Sequence, residues 1–229
     1  MTQPYRTALI VGAGRGLSAS LARVFARSGV RVALAARDAG KLDALCSETG
    51  ATAFACDAQE PAQVGRLFEA LEERLGAPDI VVYNASARVR GPLTTLAPDD
   101  VRRALNVSAF GAFLVAQRAI PAMLAKGHGA ILLTGASASV KGYAESAPFA
   151  MGKFALRGLA QSMARELAPK GIHVAHFVID GAIRPREQGD AGDAMLDPDA
   201  IASTYLHVLM QPRSAWTWEV ELRPWVERF

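Results

Sequence analysis

The chain has 229 residues, of which 51% are hydrophobic, and its formal net charge is +3. That length suits one α/β domain with a sizeable core. The basic excess is small and the signs of charge are mixed along the chain, so we expect no nucleic-acid partner. No signal peptide is recognisable, and no apolar run reaches the roughly 18 residues of a membrane span, which predicts a cytoplasmic protein that binds no membrane.

Short apolar runs alternate with longer amphipathic segments. The runs predicted as strands are TALIVG, RVALAA, TAFAC, DIVVYN, GAILLTG and IHVAHFVI. They are nearly continuous in apolar residues, as is typical of parallel strands that helices cover on both faces. The segments predicted as helices are 16–27, 41–48, 61–75, 99–126 and 147–168. This order predicts an α/β fold in which residues 1–229 form a single domain around a doubly wound parallel sheet.

The long helix and the C-terminal part of the chain carry further local signals. Pro121 should kink the helix over 99–126 or end its regular part. Residues 184–196 are rich in Gly, Asp and Pro, which predicts a mobile loop over a substrate. Asp197 and Pro198 have the residue types of an N-cap and a first helical position. Alternating polarity over 216–223 then predicts a strand at the sheet edge.

A glycine-rich turn joins the first predicted strand to the first predicted helix. In the stretch GAGRG, backbone N–H groups can approach a pyrophosphate, and the helix that follows adds the positive end of its dipole. Such a turn is weak evidence by itself, but here it lies in the first βα unit. The residues predicted to bind a dinucleotide are Gly12, Gly14, Arg15, Gly16 and Leu17.

The tip of the second predicted strand bears on the choice of dinucleotide. NAD-binding sheets commonly carry an acidic residue there, whereas this chain has Ala36 followed by Arg37. Arg37 and Arg15 could flank a 2′-phosphate with charge-assisted hydrogen bonds, so NADP(H) is favoured over NAD(H). Two alternatives stay open. Both arginines could be solvated surface residues, or Asp38 could weaken phosphate binding by pairing with Arg37.

Stretches along nearly the whole chain match the motifs of one family. The glycine turn matches with Ser18 in place of its last glycine, and the other matching positions are Asp57 with Ala58, Asn84 with Ala85, Asn106, Lys153, and Gly181 with Ile183. Together they resemble the short-chain dehydrogenase/reductase family, whose members have a Rossmann fold. The resemblance implies that these positions bind the dinucleotide, with Asp57 at the adenine and Ile183 at the nicotinamide amide. Asn106 is implied in catalysis.

In that family a tyrosine hydroxyl transfers a proton while hydride moves between nicotinamide C4 and a carbonyl or alcohol carbon. The resemblance implies that Lys153 binds the nicotinamide ribose and that Asn106 holds a water of the proton relay. The tyrosine position, one helical turn before Lys153, carries Phe149, and a phenyl ring cannot transfer a proton. The position of the substrate-orienting serine falls on Ala136, with Ser137 beside it as a substitute.

Tyr143 offers a replacement for the missing hydroxyl. It precedes the helix of Lys153, and enoyl-reducing branches of the superfamily also place their tyrosine upstream. The alternative is an ordinary loop aromatic that covers the cleft. General acid–base assistance is typically worth ~10²- to 10⁴-fold, so a ketone reductase without a substitute hydroxyl should be slow.

The sequence thus predicts an NADP(H)-dependent oxidoreductase with a modified acid–base group, acting on a small carbonyl compound, an alcohol or an activated alkene. The alternative is a catalytically impaired NADP(H)-binding protein, serving as a sensor or a partner subunit. A structural scaffold with a degenerate site is a third hypothesis. The resemblance also implies a homodimer or a homotetramer. The spacing of histidines and cysteines suggests no metal site.

Overall fold

The computed structural model describes residues 5–185, 188–189 and 192–228. In these residues all strand pairs are parallel, and one seven-stranded sheet has the order β3-β2-β1-β4-β5-β6-β7. The strands are β1 Thr7–Val11, β2 Arg31–Ala36, β3 Thr52–Ala55, β4 Ile80–Tyr83, β5 Gly129–Thr134, β6 Ile172–Ile179 and β7 Glu219–Leu222. The chain adds strands on one side of β1 as far as β3 and then crosses to the other side with β4. This crossing creates a crevice at the carboxyl ends of β1 and β4, where open α/β sheets bind ligands.

Helices cover both faces of the sheet, so the predicted doubly wound fold is confirmed. They are α1 Leu17–Arg27, α2 Asp43–Thr49, α3 Pro61–Leu75, α4 Pro98–Leu105, α5 Gly111–Lys126, α6 Ala147–Leu167 and α7 Pro198–Leu209. One apolar layer packs α1, α2 and α7 on the sheet, and the other packs α3, α5 and α6. Alternation along the strands supplies both layers. In β1, for example, Ile10 points into the first layer and Leu9 into the second.

The predicted helix over residues 99–126 is interrupted. Between α4 and α5 the backbone forms a π-helical turn, Asn106–Phe110. Pro121 lies inside α5, which continues to Lys126, so of the two predicted effects, a kink or an end of the regular helix, the second does not occur. A proline removes only one N–H from the helical ladder, whereas the π-turn shifts the whole register, and such turns are frequent at functional sites.

The apolar character of this region has a simple explanation within the fold. By length and composition alone, Pro98–Lys126 could cross a membrane, but 44% of its apolar window is buried inside the protein. The buried helix of a globular core meets the same criterion. One such helix is therefore weak evidence for a membrane span.

The C-terminal strand is shorter than the predicted segment 216–223. The side chain of Gln211, just after α7, bonds both the backbone N–H and the hydroxyl of Thr217, which diverts this stretch from strand pairing. Only β7 continues alongside β6, at the edge of the sheet. Within the predicted loop 184–196, residues 186–187 and 190–191 lie outside the described residues. Its described ends are joined by a backbone bond from Arg184 to Leu196.

Candidate dinucleotide-binding cleft

A cleft of about 890 Å³ lies at the carboxyl ends of β1, β2, β3 and β4, in the size range of ligand sites. It brings together many of the predicted cofactor residues: Gly12, Gly14, Arg15, Arg37, Asp57, Ala58, Asn84 and Ala85. Gly16 and Leu17 continue the turn into α1. Lys153, Gly181 and Ile183 are not part of the cleft lining. Among the described residues, no group of three or more His, Cys, Asp or Glu side chains could hold a metal ion.

The glycine turn is locked in place beneath the cleft. Gly12 has a φ of +83°, and a Cβ there would lie 2.4 Å from the backbone nitrogen of Ala85. The buried Ser18 donates its hydroxyl to the carbonyl of Gly12 and accepts a hydrogen bond from the Asn84 amide. Ser18, which replaces a glycine of the family motif, therefore ties the turn to the end of β4. The sequence shows the substitution but not this contact.

The open side of the turn suits an anion. A Cβ added to Gly14 or Gly16 would meet nothing within 4 Å, so the backbone is accessible from the cleft. Helix α1 begins after Gly16 without a side-chain cap and has no acidic residue in its first turn. Its first N–H groups and its positive dipole end thus remain available to a phosphate.

Two arginines border the same cleft. Arg15 and Arg37 are exposed, and neither forms an ion pair with another described residue. Asp38 instead lies 3.3 Å from the ammonium of Lys41, so this carboxylate is not paired with Arg37. The two guanidinium groups are thus free to meet an added phosphate.

Next to the tip of β2, the end of β3 provides an acidic residue of the cleft lining. The carboxylate of Asp57 accepts hydrogen bonds from the backbone and the side chain of Gln59. Gln63 in turn accepts the backbone N–H of Asp57. Ala58 beside it is buried. These bonds fix the position of the Asp57 carboxylate in the cleft lining.

Lys153 is buried, with its ammonium donating to the carbonyl of Thr134 at 2.7 Å. Burial, with a smaller contribution from the nearby Arg88, lowers the pKa of Lys153 to about 7. Phe149 lies one turn earlier on α6, and its ring centroid is 5.8 Å from the Lys153 ammonium. The ring carries no polar atom and cannot transfer a proton.

Three further predicted residues have different surroundings. Asn106 opens the π-turn, half-buried, and its side chain makes no hydrogen bond within the described chain. The half-buried hydroxyl of Ser137 also makes none with these residues. Tyr143 is 47% exposed, with its ring over the ammonium of Lys141. No hydrogen bond or ring contact joins Tyr143 to Lys153 in the described structure.

A buried polar chain behind this site was not predicted from the sequence. Glu219 on β7 binds Arg157 and, at 2.9 Å, Nδ1 of His176. Because a carboxylate only accepts, Nδ1 carries the proton and Nε2 accepts from Ser139, at 3.3 Å. The Ser139 hydroxyl accepts the backbone N–H of Ala136. These hydrogen-bonded side chains have the order of a Ser–His–carboxylate triad. Ser139 is fully buried, however, and positions the loop after β5.

The buried imidazole of His176 predicts a pH dependence of the protein's stability. Burial is the main cause that lowers the pKa of His176 to about 4, below the ordinary value of 6.5. The neutral ring therefore stabilises the fold fully above pH 6.5, and this contribution is lost as pH falls towards 4, by up to about 1.4 kcal/mol per pH unit. We expect His176→Asn, which keeps a donor for Glu219, to remove this slope. Urea denaturation on either side of the window measures it.

The matched control is His207→Asn, because His207 is exposed. We expect the control to follow the pH dependence of the natural protein. An unchanged slope in His176→Asn would show that the buried imidazole is not held neutral by the fold.

Comparison with known proteins identifies the family. The protein-family model described as short chain dehydrogenase matches residues 6–186. The 3-oxoacyl-[acyl-carrier-protein] reductase MabA of Mycobacterium tuberculosis is 30% identical over 178 residues, 78% of this chain and 69% of that protein. A short-chain dehydrogenase structure from Rhodopseudomonas palustris is 34% identical, with a TM-score of 0.85 and coverage of 96% of this chain and 99% of that one. A metagenomic short-chain oxidoreductase, solved in complex with NADP, is 28% identical, with a TM-score of 0.86 and coverage of 97% and 98%.

The chain therefore belongs to the short-chain dehydrogenase/reductase family of oxidoreductases. The matched segment runs from before β1 to beyond β6, and thus includes the glycine turn and the helix of Lys153. The resemblance inferred from the sequence motifs is confirmed, and so is the Rossmann fold that it implied.

Proposed function

We propose that the protein is an NADP(H)-dependent oxidoreductase that transfers hydride to or from a small carbonyl compound, an alcohol or an activated alkene, with a modified acid–base group. The observation that carries this proposal is the cleft at the crossing point of the sheet. There a locked glycine turn, an uncapped helix N-terminus and unpaired arginines face the same space. This set of groups fits a dinucleotide, because it offers N–H donors to a pyrophosphate and positive charge to a further phosphate.

The two arginines support NADP(H) over NAD(H). A guanidinium forms two parallel hydrogen bonds with a phosphate, and Arg15 and Arg37 have no carboxylate partner among the described residues. An acidic side chain at the position of Ala36, which would repel a 2′-phosphate, is absent from this chain. The NADP complex of the metagenomic relative agrees with this preference.

Fluorescence titration with NADPH and NADH tests the cofactor assignment. We expect Arg37→Ala to weaken NADPH binding by about 10- to 100-fold, the worth of charge-assisted bonds to one phosphate, and to leave NADH binding nearly unchanged. The matched control is Arg27→Ala, because Arg27 is an exposed arginine at the far end of α1. Equal losses for both nucleotides, or none, would contradict the assignment of a 2′-phosphate to Arg37.

At the nicotinamide end of the cleft, Lys153 has a binding role, and Phe149 stands at the family's tyrosine position. NADPH supplies the hydride when bound. Lys153 would hold the ribose, with Gly181 and Ile183 beside the nicotinamide, and Asn106 would hold a water. Phe149 shields this space from solvent without exchanging a proton. The proton then comes from water or from a substitute hydroxyl, for which Ser137 and Tyr143 are the candidates.

We also propose a cytoplasmic protein that self-associates. Four large apolar side chains on the π-turn, α5 and α6 are 41–48% exposed: Phe110, Phe113, Met151 and Phe154. A second copy of the chain would cover them in a homodimer or a homotetramer. Sedimentation of the natural protein beside a Phe113→Lys, Phe154→Lys variant tests this, and a monomeric natural protein would contradict it.

A further inference from the structure

Arg88 occupies an unusual place for a loop arginine. It follows β4 by a few residues, and its guanidinium carbon lies 4.3 Å from the centroid of the Phe149 ring. Guanidinium groups stack favourably on aromatic faces, so the ring orients an otherwise mobile side chain. Arg88 remains exposed, which leaves its donor groups accessible. The contact thus presents an oriented guanidinium on the face of the ring that stands at the family's tyrosine position.

A second cation lies against the same ring. The ammonium of Lys153 is 5.8 Å from the ring centroid, and the proximity of Arg88 contributes to lowering the pKa of Lys153. Neither side chain has a carboxylate partner among the described residues. Two cations beside one apolar ring create a positive potential that an anion between them would neutralise.

Several cations on other loops and helices do have a carboxylate partner. Lys141 pairs with Asp180, Arg103 with Asp100, and Arg184 with Asp197. Arg90 of the same loop also has no carboxylate partner among the described residues, but it stacks on no described ring, so the contact with Phe149 distinguishes Arg88. Its missing partner is best supplied by a ligand.

We propose that Arg88 binds a carboxylate of the substrate, so that the protein acts on oxo acids or hydroxy acids rather than on neutral ketones or alcohols. This inference rests on the proposed function, because it places the substrate at the nicotinamide end of the cleft. The planar fork of the guanidinium matches a carboxylate with two parallel hydrogen bonds. Arginine keeps its charge in proteins, so Arg88 anchors and orients the acid and does not serve as the proton donor.

The test compares 2-oxo acids with their methyl esters on the protein saturated with NADP⁺. Glyoxylate, pyruvate and benzoylformate, each beside its ester, are titrated by calorimetry, which requires no turnover. We expect at least one acid to bind the natural protein about 10- to 100-fold more tightly than its ester, and Arg88→Met to abolish this difference. Arg88→Lys should restore part of it, because a charge returns without the fork.

Arg90→Met is the matched control, since Arg90 is an exposed arginine of the same loop, and it should retain the preference for the acid. NADP⁺ affinity is measured first for every variant and should be unchanged. Equal binding of acids and esters, no binding of any acid, or an unaltered preference in Arg88→Met would overturn the proposal while the cofactor still binds. Loss of NADP⁺ binding by the natural protein would instead contradict the proposed function.

Discussion

The Phe149→Tyr variant should reduce carbonyl substrates about 10²- to 10⁴-fold faster than the natural protein, the range that general acid–base catalysis contributes. The reason lies on α6, where this side chain is one helical turn before the buried Lys153. A phenol there would gain a proton-transfer group beside an ammonium that favours its ionised form. The rate of NADPH consumption with a panel of aldehydes, ketones and oxo acids measures the effect.

Phe154→Tyr is the matched control for this experiment. It adds the same hydroxyl on the same helix, but five residues after Phe149 and on the face proposed for self-association. We expect its rate to equal that of the natural protein. If Phe149→Tyr binds NADPH normally and still shows no gain in rate, then Phe149 does not occupy the position of the proton donor. If Tyr143→Phe abolishes the activity of the natural protein, a relocated hydroxyl already supplies the proton.

Gly12→Ala should unfold the nucleotide site. The added Cβ would lie 2.4 Å from the backbone nitrogen of Ala85, and φ at this position is +83°. Steric overlap and a left-handed backbone each cost about 1–3 kcal/mol, so we expect a loss of about 2–6 kcal/mol in the free energy of unfolding. NADPH binding should be lost with it. Urea denaturation and NADPH titration measure the two effects.

Gly14→Ala separates stability from binding. Its Cβ would meet no protein atom within 4 Å, yet Gly14 lines the cleft. We expect this variant to be about as stable as the natural protein but to bind NADPH less tightly, because the methyl group would meet the ligand. If the Gly12→Ala variant is as stable as the natural protein, the turn is not locked against β4. If Gly14→Ala binds NADPH normally, the pyrophosphate does not approach this backbone.

Much of the fold was predictable, because continuous apolar runs and helical periodicity are local signals. The six predicted parallel strands appear in the expected order, and α3 has the predicted bounds. The π-turn at Asn106 was not predictable, because the stretch NVSAF has ordinary helical residues. Close packing explains it in part. A Cβ on Gly152 of α6 would lie 2.8 Å from the Cβ of Ser108, so this turn adapts to a neighbouring helix.

Some residues of the candidate site could be predicted from the sequence, and others could not. The glycine turn and Arg37 follow from motifs within single βα units, and these residues do line one cleft. The hydrogen bonds from Ser139 through His176 to Glu219 join three segments that are distant in sequence, and no local sequence pattern predicts them. Arg88 resembles a solvated loop arginine in the sequence. Only the folded loop, which sets its guanidinium on a phenyl ring, distinguishes it.

The crystal structure of the NADPH complex tests the central claim most directly. We predict a pyrophosphate against the backbone of Gly12–Gly16, a 2′-phosphate at Arg37, and Lys153 on the nicotinamide ribose. We also predict that C4 faces a space bordered by the ring of Phe149. Nucleotide bound elsewhere, or a nicotinamide ring that lies away from Phe149 and Lys153, would contradict the account.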